Sequence, residues 1–291
     1  SLACIAIQAN QNEMHGGQSV PNFDYSMAPG VAKTYVKEYY DALAQSLAVR
    51  LGIGYADACA IAKNIKKELP APTLSNADAF EAELCKWFTQ ADDKFGLDGK
   101  VLVAAHKNAA ETALASTDKA TFQAMEALVH NLNTMNSRAG AQVPFSSVNY
   151  GTDTSPEGRM VMKNLLLATD NGLGNGETPI FPVQIFKVKE GINYNPEDPN
   201  YDLFRLAIKT SAKRLFPNFS FIDAPFNLEY YKPGDYNTEV AYMGCRTRVM
   251  ANTYDPTKAV TCGRGNLSFT SINLPRLGIR ANRDIDTFYK E

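Results

Sequence analysis

Cys245 stands in a segment whose residue types invite chemistry: Tyr242-Met243-Gly244-Cys245-Arg246-Thr247-Arg248, followed by Gly263-Arg264-Gly265-Asn266-Leu267-Ser268-Phe269-Thr270. A single thiol in a glycine-containing turn between two strand-like runs is open to a reaction partner. Gly244 permits a tight backbone there. Arg246 and Arg248 are cations that lower a thiol pKa if they point inward. Ionic nucleophilic catalysis needs a base as well. No histidine lies near in sequence, since the three are His15, His106 and His130. The local residues therefore argue against a Cys–His hydrolase. A lone cysteine is otherwise more often a small buried hydrophobe, and a lone methionine such as Met243 more often core filler. Asn266 carries a side-chain amide that donates and accepts at once, so it can orient a hydroxyl or a small carboxylate. Read alone, it is a turn residue between Gly265 and a strand.

Composition bounds what else the chain can do. It has 291 residues, 45% hydrophobic and 21% charged, enough apolar material for one large core or two smaller ones. The formal charge of −2 provides no overall field for nucleic acid. A nucleotide would have to be held by local Lys, Arg and backbone N–H groups. No apolar run approaches the ~18 residues of a membrane helix. Cys4, Cys59, Cys85, Cys245 and Cys262 form no C-x-x-C pair and no zinc-ligand spacing. Their odd number and irregular spacing fit a reducing cytoplasm better than a disulfide framework. The opening Ser1-Leu2-Ala3-Cys4-Ile5-Ala6-Ile7-Gln8 has neither the charged start nor the cleavage site of a signal peptide. It reads as an internal start, inside an apolar helix.

The elements that must position Cys245 fall into two regions. The first half is helical: Gly30 to Val49, Tyr55 to Leu69, Asn76 to about Phe95 and Lys119 to Asn133 each show one apolar stripe. After Asn136 strands enter. Val143 to Gly151 reads as a strand ending in a turn, and Ser155 with Pro156 caps a helix that Gly172-Leu173-Gly174-Asn175-Gly176 stops. Ile180 to Val188 is β-rich, Tyr201 to Leu215 helical and Phe219 to Asp223 a short strand. Strands alternating with helices predict an α/β fold with parallel pairing. The glycines at 172–176 miss the dinucleotide fingerprint: the third glycine is misplaced and the segment ends a helix rather than opening one.

Several segments in order carry a resemblance to a known family. They are His15-Gly16-Gly17-Gln18-Ser19; Ser137-Arg138-Ala139-Gly140-Ala141-Gln142-Val143-Pro144-Phe145-Ser146-Ser147; Asn149-Tyr150-Gly151-Thr152; Pro156-Glu157-Gly158-Arg159; Thr178-Pro179-Ile180-Phe181-Pro182; and Ser271-Ile272-Asn273-Leu274-Pro275-Arg276. Together with the Cys245 turn they resemble the anaerobic (class III) ribonucleoside-triphosphate reductases over nearly the whole chain. The resemblance implies part of a ten-stranded α/β barrel of the glycyl-radical enzyme type with a helix-rich first half. Residues 1–136 would supply dimer and effector helices. Residues 137–291 would supply the strand–helix part, with a finger loop at 239–251.

The function implied is conversion of ribonucleoside triphosphates to deoxyribonucleoside triphosphates by thiyl-radical chemistry. Cys245 would hold the thiyl radical and take the 3′ hydrogen, activating loss of the 2′ hydroxyl as water. Met243 and Asn266 match the formate-using subgroup, so formate is the expected reductant. Ser146 and Ser147 are read as ending a strand beside the active face, as candidate substrate contacts. Lys37 is read as a candidate effector contact on a helix that binds dNTP or ATP. Each has a plainer reading, as a strand-end pair and a solvated lysine. Cys262 is read as structural, in the strand leading to Asn266. Cys4, Cys59 and Cys85 are read as core or groove residues. His15 reads equally as a ligand contact or part of a helix-ending turn.

No metal site is expected within this chain. The family's glycyl radical and four-cysteine zinc site find no matching motif here, so they are expected elsewhere in a parent protein. The isolated chain is then inactive. Expected partners are substrate, effectors, a radical-SAM activating enzyme and a second copy of the chain, with no nucleic acid or membrane. Two other readings remain: a non-catalytic nucleotide-binding or dimerising scaffold, and a pyruvate formate-lyase-like glycyl-radical enzyme. The latter carries two adjacent cysteines at its fingertip, where Gly244 and Arg246 here flank one.

Overall fold

Small apolar residues and good helix formers make the first half of the chain helical, and tertiary anchoring extends two of its helices past their sequence signals. The computed structural model describes residues 2–14, 16–95, 99–136, 142–244, 247–265 and 271–291. The helices of this half are α1 (Leu2–Glu13), α2 (Phe23–Leu51), α3 (Tyr55–Glu68), α4 (Ala77–Phe95) and α5 (Gly99–Thr134). The sequence reading starts the second of these at Gly30, where the four-residue apolar spacing begins. The structure carries α2 through Pro29. One lost backbone bond there is offset by the burial of Phe23 and by the three N–H bonds that Asp24 accepts in the first turn. The helix read over 119–133 begins twenty residues earlier, at Gly99. Its added turns bury Ala105, Ala109, Ala113 and Thr117. These small side chains pack closely but carry little hydrophobic contrast, so the apolar period is faint where the alanine propensity is strong.

The helices build their own core. Tyr39, Leu43 and Leu47 of α2 pack with Ile65, Phe80, Leu84 and Leu102, all 2% exposed or less. Tyr39 sits edge-on to Tyr40 and Phe80. Its hydroxyl is 2.8 Å from Nδ1 of His106. Burial pushes the His106 imidazole below its ordinary pKa, which favours the neutral ring as partner to that hydroxyl.

The second core lies where helices meet a sheet. Among the described residues, β1 (Gln18–Val20), β2 (Ser146–Tyr150), β3 (Val183–Val188) and β4 (Asn218–Phe221) form one sheet in the order β1-β2-β3-β4, every pair parallel. Helices α6 (Pro156–Asn171) and α7 (Tyr201–Arg214) connect the later strands. Ser155 caps α6, its hydroxyl oxygen accepting from the N–H of Gly158 at 3.1 Å. A short helix α8 (Pro225–Leu228) follows β4. The expected α/β class is observed as a helix-rich fold with a parallel sheet. β1 carries no strand signal in the sequence, being three residues long; it forms because β2 offers it a ladder, with Ser19 opposite Ser147.

Register assigns side chains to faces, because successive residues alternate and parallel partners point the same way. Val148, Tyr150, Phe186 and Val188 fall on one face and belong to the core shared with α6. Ser19, Ser147, Asn149, Ile185, Lys187 and Ser220 fall on the other. That second face is polar, and a hairpin lies across it. The hairpin is β5 (Ala241–Met243) paired antiparallel with β6 (Thr247–Val249). Two further helices, α9 (Leu274–Arg280) and α10 (Ile285–Lys290), end the chain. Among the described residues no helix is long and apolar enough to cross a membrane.

Gly151, just past β2, has φ +137°, and a Cβ there would lie 2.5 Å from the carbonyl oxygen of Lys187. Gly151→Ala should therefore lower the unfolding free energy by about 3 kcal/mol or more, combining backbone strain with a clash against main chain. Gly174, with nothing within 4 Å of a built Cβ, is the control: Gly174→Ala should change it by no more than about 0.5 kcal/mol. Urea denaturation followed by circular dichroism measures both.

Candidate functional site

The strands β5 and β6 pair in the register Ala241–Val249, Tyr242–Arg248 and Met243–Thr247. This leaves Gly244, Cys245 and Arg246 as the connection between them. Cys245 and Arg246 lie outside the described residues, as do Asn266 and His15. Their described neighbours define the site. Gly244 is pressed against the sheet end: a Cβ on it would meet Cα of Gly17 at 2.9 Å and the Phe145 ring at 2.9 Å. The glycine at this position is thus required by close approach of two backbones.

The hairpin is held to the polar face through Tyr242. Asn149 takes both backbone groups of Tyr242: its Oδ1 accepts from the Tyr242 N–H at 2.8 Å, and its Nδ2 donates to the Tyr242 carbonyl at 2.9 Å. Ser19 donates to the same carbonyl at 2.7 Å, and Ser147 reaches it at 3.4 Å. Ser220 Oγ donates to the Tyr242 hydroxyl at 3.0 Å. Tyr242 is thereby bonded to β1, β2 and β4.

The segment leading into the hairpin is tied down twice more. Tyr236 stacks on Tyr25, with centroids 3.9 Å apart and planes 5° from parallel. Glu239, two residues before β5, is buried with Lys187; Nζ and Oε2 are 3.1 Å apart. Thr152 donates to the same carboxylate oxygen at 2.9 Å, and Lys187 donates also to Asn22 Oδ1 at 2.8 Å. Beside this pair, Asp24 accepts three N–H bonds on Oδ2, from Gly151, Thr152 and Asp153, at 2.8, 3.1 and 3.1 Å. Burial pushes the Asp24 carboxyl above its ordinary pKa, against the pull of those N–H groups and of Lys187. Burial likewise raises Asp153. Lys187 lies at the carboxyl end of β3, and Asn22, Asp24, Thr152 and Asp153 just beyond those of β1 and β2, where open parallel sheets tend to bind ligands.

A cavity of about 210 Å³ opens beside the hairpin, lined by Met243, Gln18, Ser19, Cys262 and Arg264 among others. Met243 thus faces the same space as β1. Cys262 is exposed and lines this cavity. It lies in a bend with Gly263 at φ +68°, not in a strand, which corrects its reading as a structural strand residue. Of the helical cysteines, Cys4 is buried and Cys59 half-buried, as expected, but Cys85 is exposed. The apolar stripe of α4 runs through Phe80, Leu84, Trp87 and Phe88, and Cys85 falls beside it. Ser146 and Ser147 open β2 rather than end a strand, because the ladder starts at Ser146. By strand alternation they occupy opposite faces. Ser147 faces the hairpin, while Ser146 lies on the helix side, its buried hydroxyl without a partner among the described residues. Lys37 is exposed on α2 and pairs with Glu38 at 3.5 Å. Arg248 is exposed; its guanidinium donates to Asn227 and lies over Phe226. Among the described residues no cluster of His, Cys, Asp or Glu could hold a metal ion.

Sequence reasoning missed Asp24, Asn149, Lys187 and Glu239 as a unit. One signal was present: Lys187 interrupts the apolar run Val183-Gln184-Ile185-Phe186-Lys187-Val188 in a strand buried throughout. A lysine there needs a carboxylate, but nothing in the spacing says that it is Glu239, 52 residues away.

A family model described as "Anaerobic ribonucleoside-triphosphate reductase" matches residues 1–291. Relatives bearing the same name include one from Escherichia coli (strain K12), 33% identical over 175 residues, which is 60% of this chain and 24% of the relative. One from Haemophilus influenzae is 34% identical over 179 residues, 61% of this chain and 24% of the relative. One from Enterobacteria phage T4 is 34% identical over 168 residues, 57% of this chain and 27% of the relative. The chain therefore spans about a quarter of the length of the relatives it matches.

The buried groups make two measurable predictions. Lys187→Met should lower the unfolding free energy by about 3–5 kcal/mol, because it leaves the Glu239 carboxylate buried without its cation, and Lys187→Met/Glu239→Leu should recover part of that loss. Denaturant titration of the single and double variants reads this out. The second concerns pH. A carboxyl raised above its unfolded value keeps its proton longer in the native state, so its contribution is full below the ordinary value of 3.8 and declines as pH rises through the raised one. The unfolding free energy of the wild type relative to Asp24→Asn should accordingly fall as pH is raised above 3.8. A relative rise would mean that the N–H donors outweigh burial.

Proposed function

Because the chain belongs to the anaerobic ribonucleoside-triphosphate reductase family, we propose that it is an internal part of the catalytic subunit of such an enzyme. In this reading it carries the turn that presents the radical cysteine. The observation that supports it best is the β5–β6 hairpin. A three-residue connection holds Cys245, and Met243 lines a cavity of mixed polar and apolar wall next to β1.

The chemistry follows from the residues. Cys245, as a thiyl radical, takes the 3′ hydrogen of the substrate ribose. S–H and ribose C–H bonds are close in strength, so the transfer runs both ways. The 3′ radical activates the 2′ carbon, and the hydroxyl leaves as water with a proton. Formate supplies the two electrons and the hydrogen and departs as carbon dioxide. The sum is ribonucleotide plus formate plus a proton, giving deoxyribonucleotide, carbon dioxide and water. The thiol returns when sulfur gives the 3′ hydrogen back. Asn266 offers an N–H to formate or to a ribose hydroxyl. The Met243 thioether is polarizable and sits two residues before the thiol. Of the two candidate substrate contacts, Ser147 lies on the hairpin side of β2, fully buried with its hydroxyl toward the Tyr242 carbonyl, and Ser146 lies on the helix side.

The rest of the reading concerns the parent. The parallel sheet with its helices on one face and the hairpin on the other fits part of a ten-stranded α/β barrel. Residues 1–136 would supply dimer and effector helices, with exposed Lys37 meeting a dNTP or ATP effector. Residues 137–291 carry the finger. We assign the glycyl radical and the structural zinc to parts of the parent outside these residues. Activation then falls to a radical-SAM enzyme, and the isolated chain is inactive. The scattered free cysteines fit a reducing cytoplasm.

The test is made in the activated full-length parent under anaerobic conditions. Cys245→Ser should abolish deoxynucleotide formation and leave the glycyl radical signal intact. Labelled formate should yield carbon dioxide in a one-to-one ratio with product. Met243→Ala and Asn266→Ala should each lower kcat more than they raise KM, since they act on the transition state. Normal turnover by Cys245→Ser would sink the assignment. Full turnover on a thiol reductant without formate would sink only the formate step.

A further inference from the structure

We propose that Asn149 is the positioning residue of the cysteine-bearing hairpin, setting the height at which the turn leaves the sheet. The proposal rests on the functional reading of Cys245 given above.

Its basis is geometric. Strands in a sheet are aligned by backbone ladders, but β5 and β6 pair with each other and are not part of the parallel sheet. Their position over that sheet must come from side chains. The Asn149 amide acts as a piece of strand: it accepts from one backbone group of Tyr242 and donates to the other, at 2.8 and 2.9 Å. Both bonds land three residues before Cys245, on a side chain that is fully buried. The same Nδ2 lies 3.1 Å from Ser19 Oγ and 3.3 Å from the Val20 carbonyl. The donor is therefore anchored to β1 while it holds β5.

The lateral placement is separately held. Ser220 meets the Tyr242 hydroxyl, and Lys187 meets Glu239 at the root. Gly244 rests against Gly17 and Phe145. Asn149 thus bonds both main-chain groups of Tyr242, while Ser19 and Ser147 reach its carbonyl alone. A hydrogen-abstracting sulfur needs its partner carbon at near-contact distance, and a displacement of about 1 Å costs on the order of 10²-fold in rate. Asparagine is suited to the task because it alone offers a donor and an acceptor at this reach; aspartate keeps the shape but turns the donor into a second acceptor facing the Tyr242 carbonyl.

The experiment uses the activated full-length parent. Asn149→Asp should keep the glycyl radical yield and the substrate Kd of the wild type and lose on the order of 10²-fold in kcat. Its isotope effect with 3′-deuterated substrate should rise, because hydrogen transfer becomes the slow step. Ser19→Ala removes one donor to the same carbonyl and should move kcat and the isotope effect the same way by less. It serves as the readout if Asn149→Asp fails to fold. Tyr242→Phe loses only the bond to Ser220 and should stay within a few-fold of wild type in both. A merely structural Asn149 would lower the amount of active enzyme and leave the isotope effect of the remainder unchanged. That result, or wild-type turnover in Asn149→Asp with Cys245→Ser inactive, overturns the positioning role. Turnover in Cys245→Ser overturns the functional reading instead, and the role of Asn149 in it.

Discussion

An ammonium and a carboxylate removed from water each cost several kcal/mol, and their mutual attraction repays this only when geometry is close and the remaining donors are met. Lys187 and Glu239 meet at 3.1 Å, with Asn22 accepting a second bond from the ammonium and Thr152 donating a second to Glu239 Oε2. Much else in the second half of the chain depends on this pair. Lys187 belongs to β3, Asn22 precedes α2, Thr152 follows β2 and Glu239 leads into β5. Four segments distant in sequence converge on one buried charge. Replacing the pair by apolar side chains would remove the cost, but also the reason why Glu239 and no other residue of its loop is drawn to this spot. The ion pair contributes specificity of placement more than net stability.

The same economy explains why the polar face exists. A sheet buried on both sides is ordinarily apolar on both. Here Ser19, Ser147, Asn149, Lys187 and Ser220 line one side. Each has a partner in the hairpin or the segment that leads into it, so each satisfies a group that would otherwise be costly to bury. The face is built to hold a backbone over it, and the cavity beside Met243 is the space left where that covering stops.

Much of the architecture was legible because helices and buried strands leave strong periods. The Ser155 cap, the Gly172 stop, the helix after Asn200 and the parallel alternation all follow from local residues. The failures have physical causes. α2 crosses Pro29 because Phe23 and Asp24 are anchored by the sheet, a tertiary effect no local signal carries. The front half of α5 buries alanines, whose contrast with solvent-facing residues is small. β1 is only three residues long and exists because β2 pairs with it. At the site, the family segments pointed to the Cys245 turn and to Met243. The clamp itself was not legible: an asparagine in a strand is a weak strand former, and its meaning appears only when Tyr242 arrives 93 residues later.

That separation bears on the order in which the molecule assembles. The helical core of α2 to α5 is made from contacts along one contiguous stretch of chain, so it can condense early. The sheet cannot. Ser19 and Asn149 meet across 130 residues, and Ser19 and Tyr242 across 223. Loop-closure entropy must be met before such contacts return anything. The hairpin that carries the cysteine therefore finds its seat last, after both β1 and β2 are in place. Until then its thiol belongs to an unseated ribbon. Late seating makes the cavity beside Met243 a consequence of completed folding, because a partly folded chain has not yet brought the hairpin to β1.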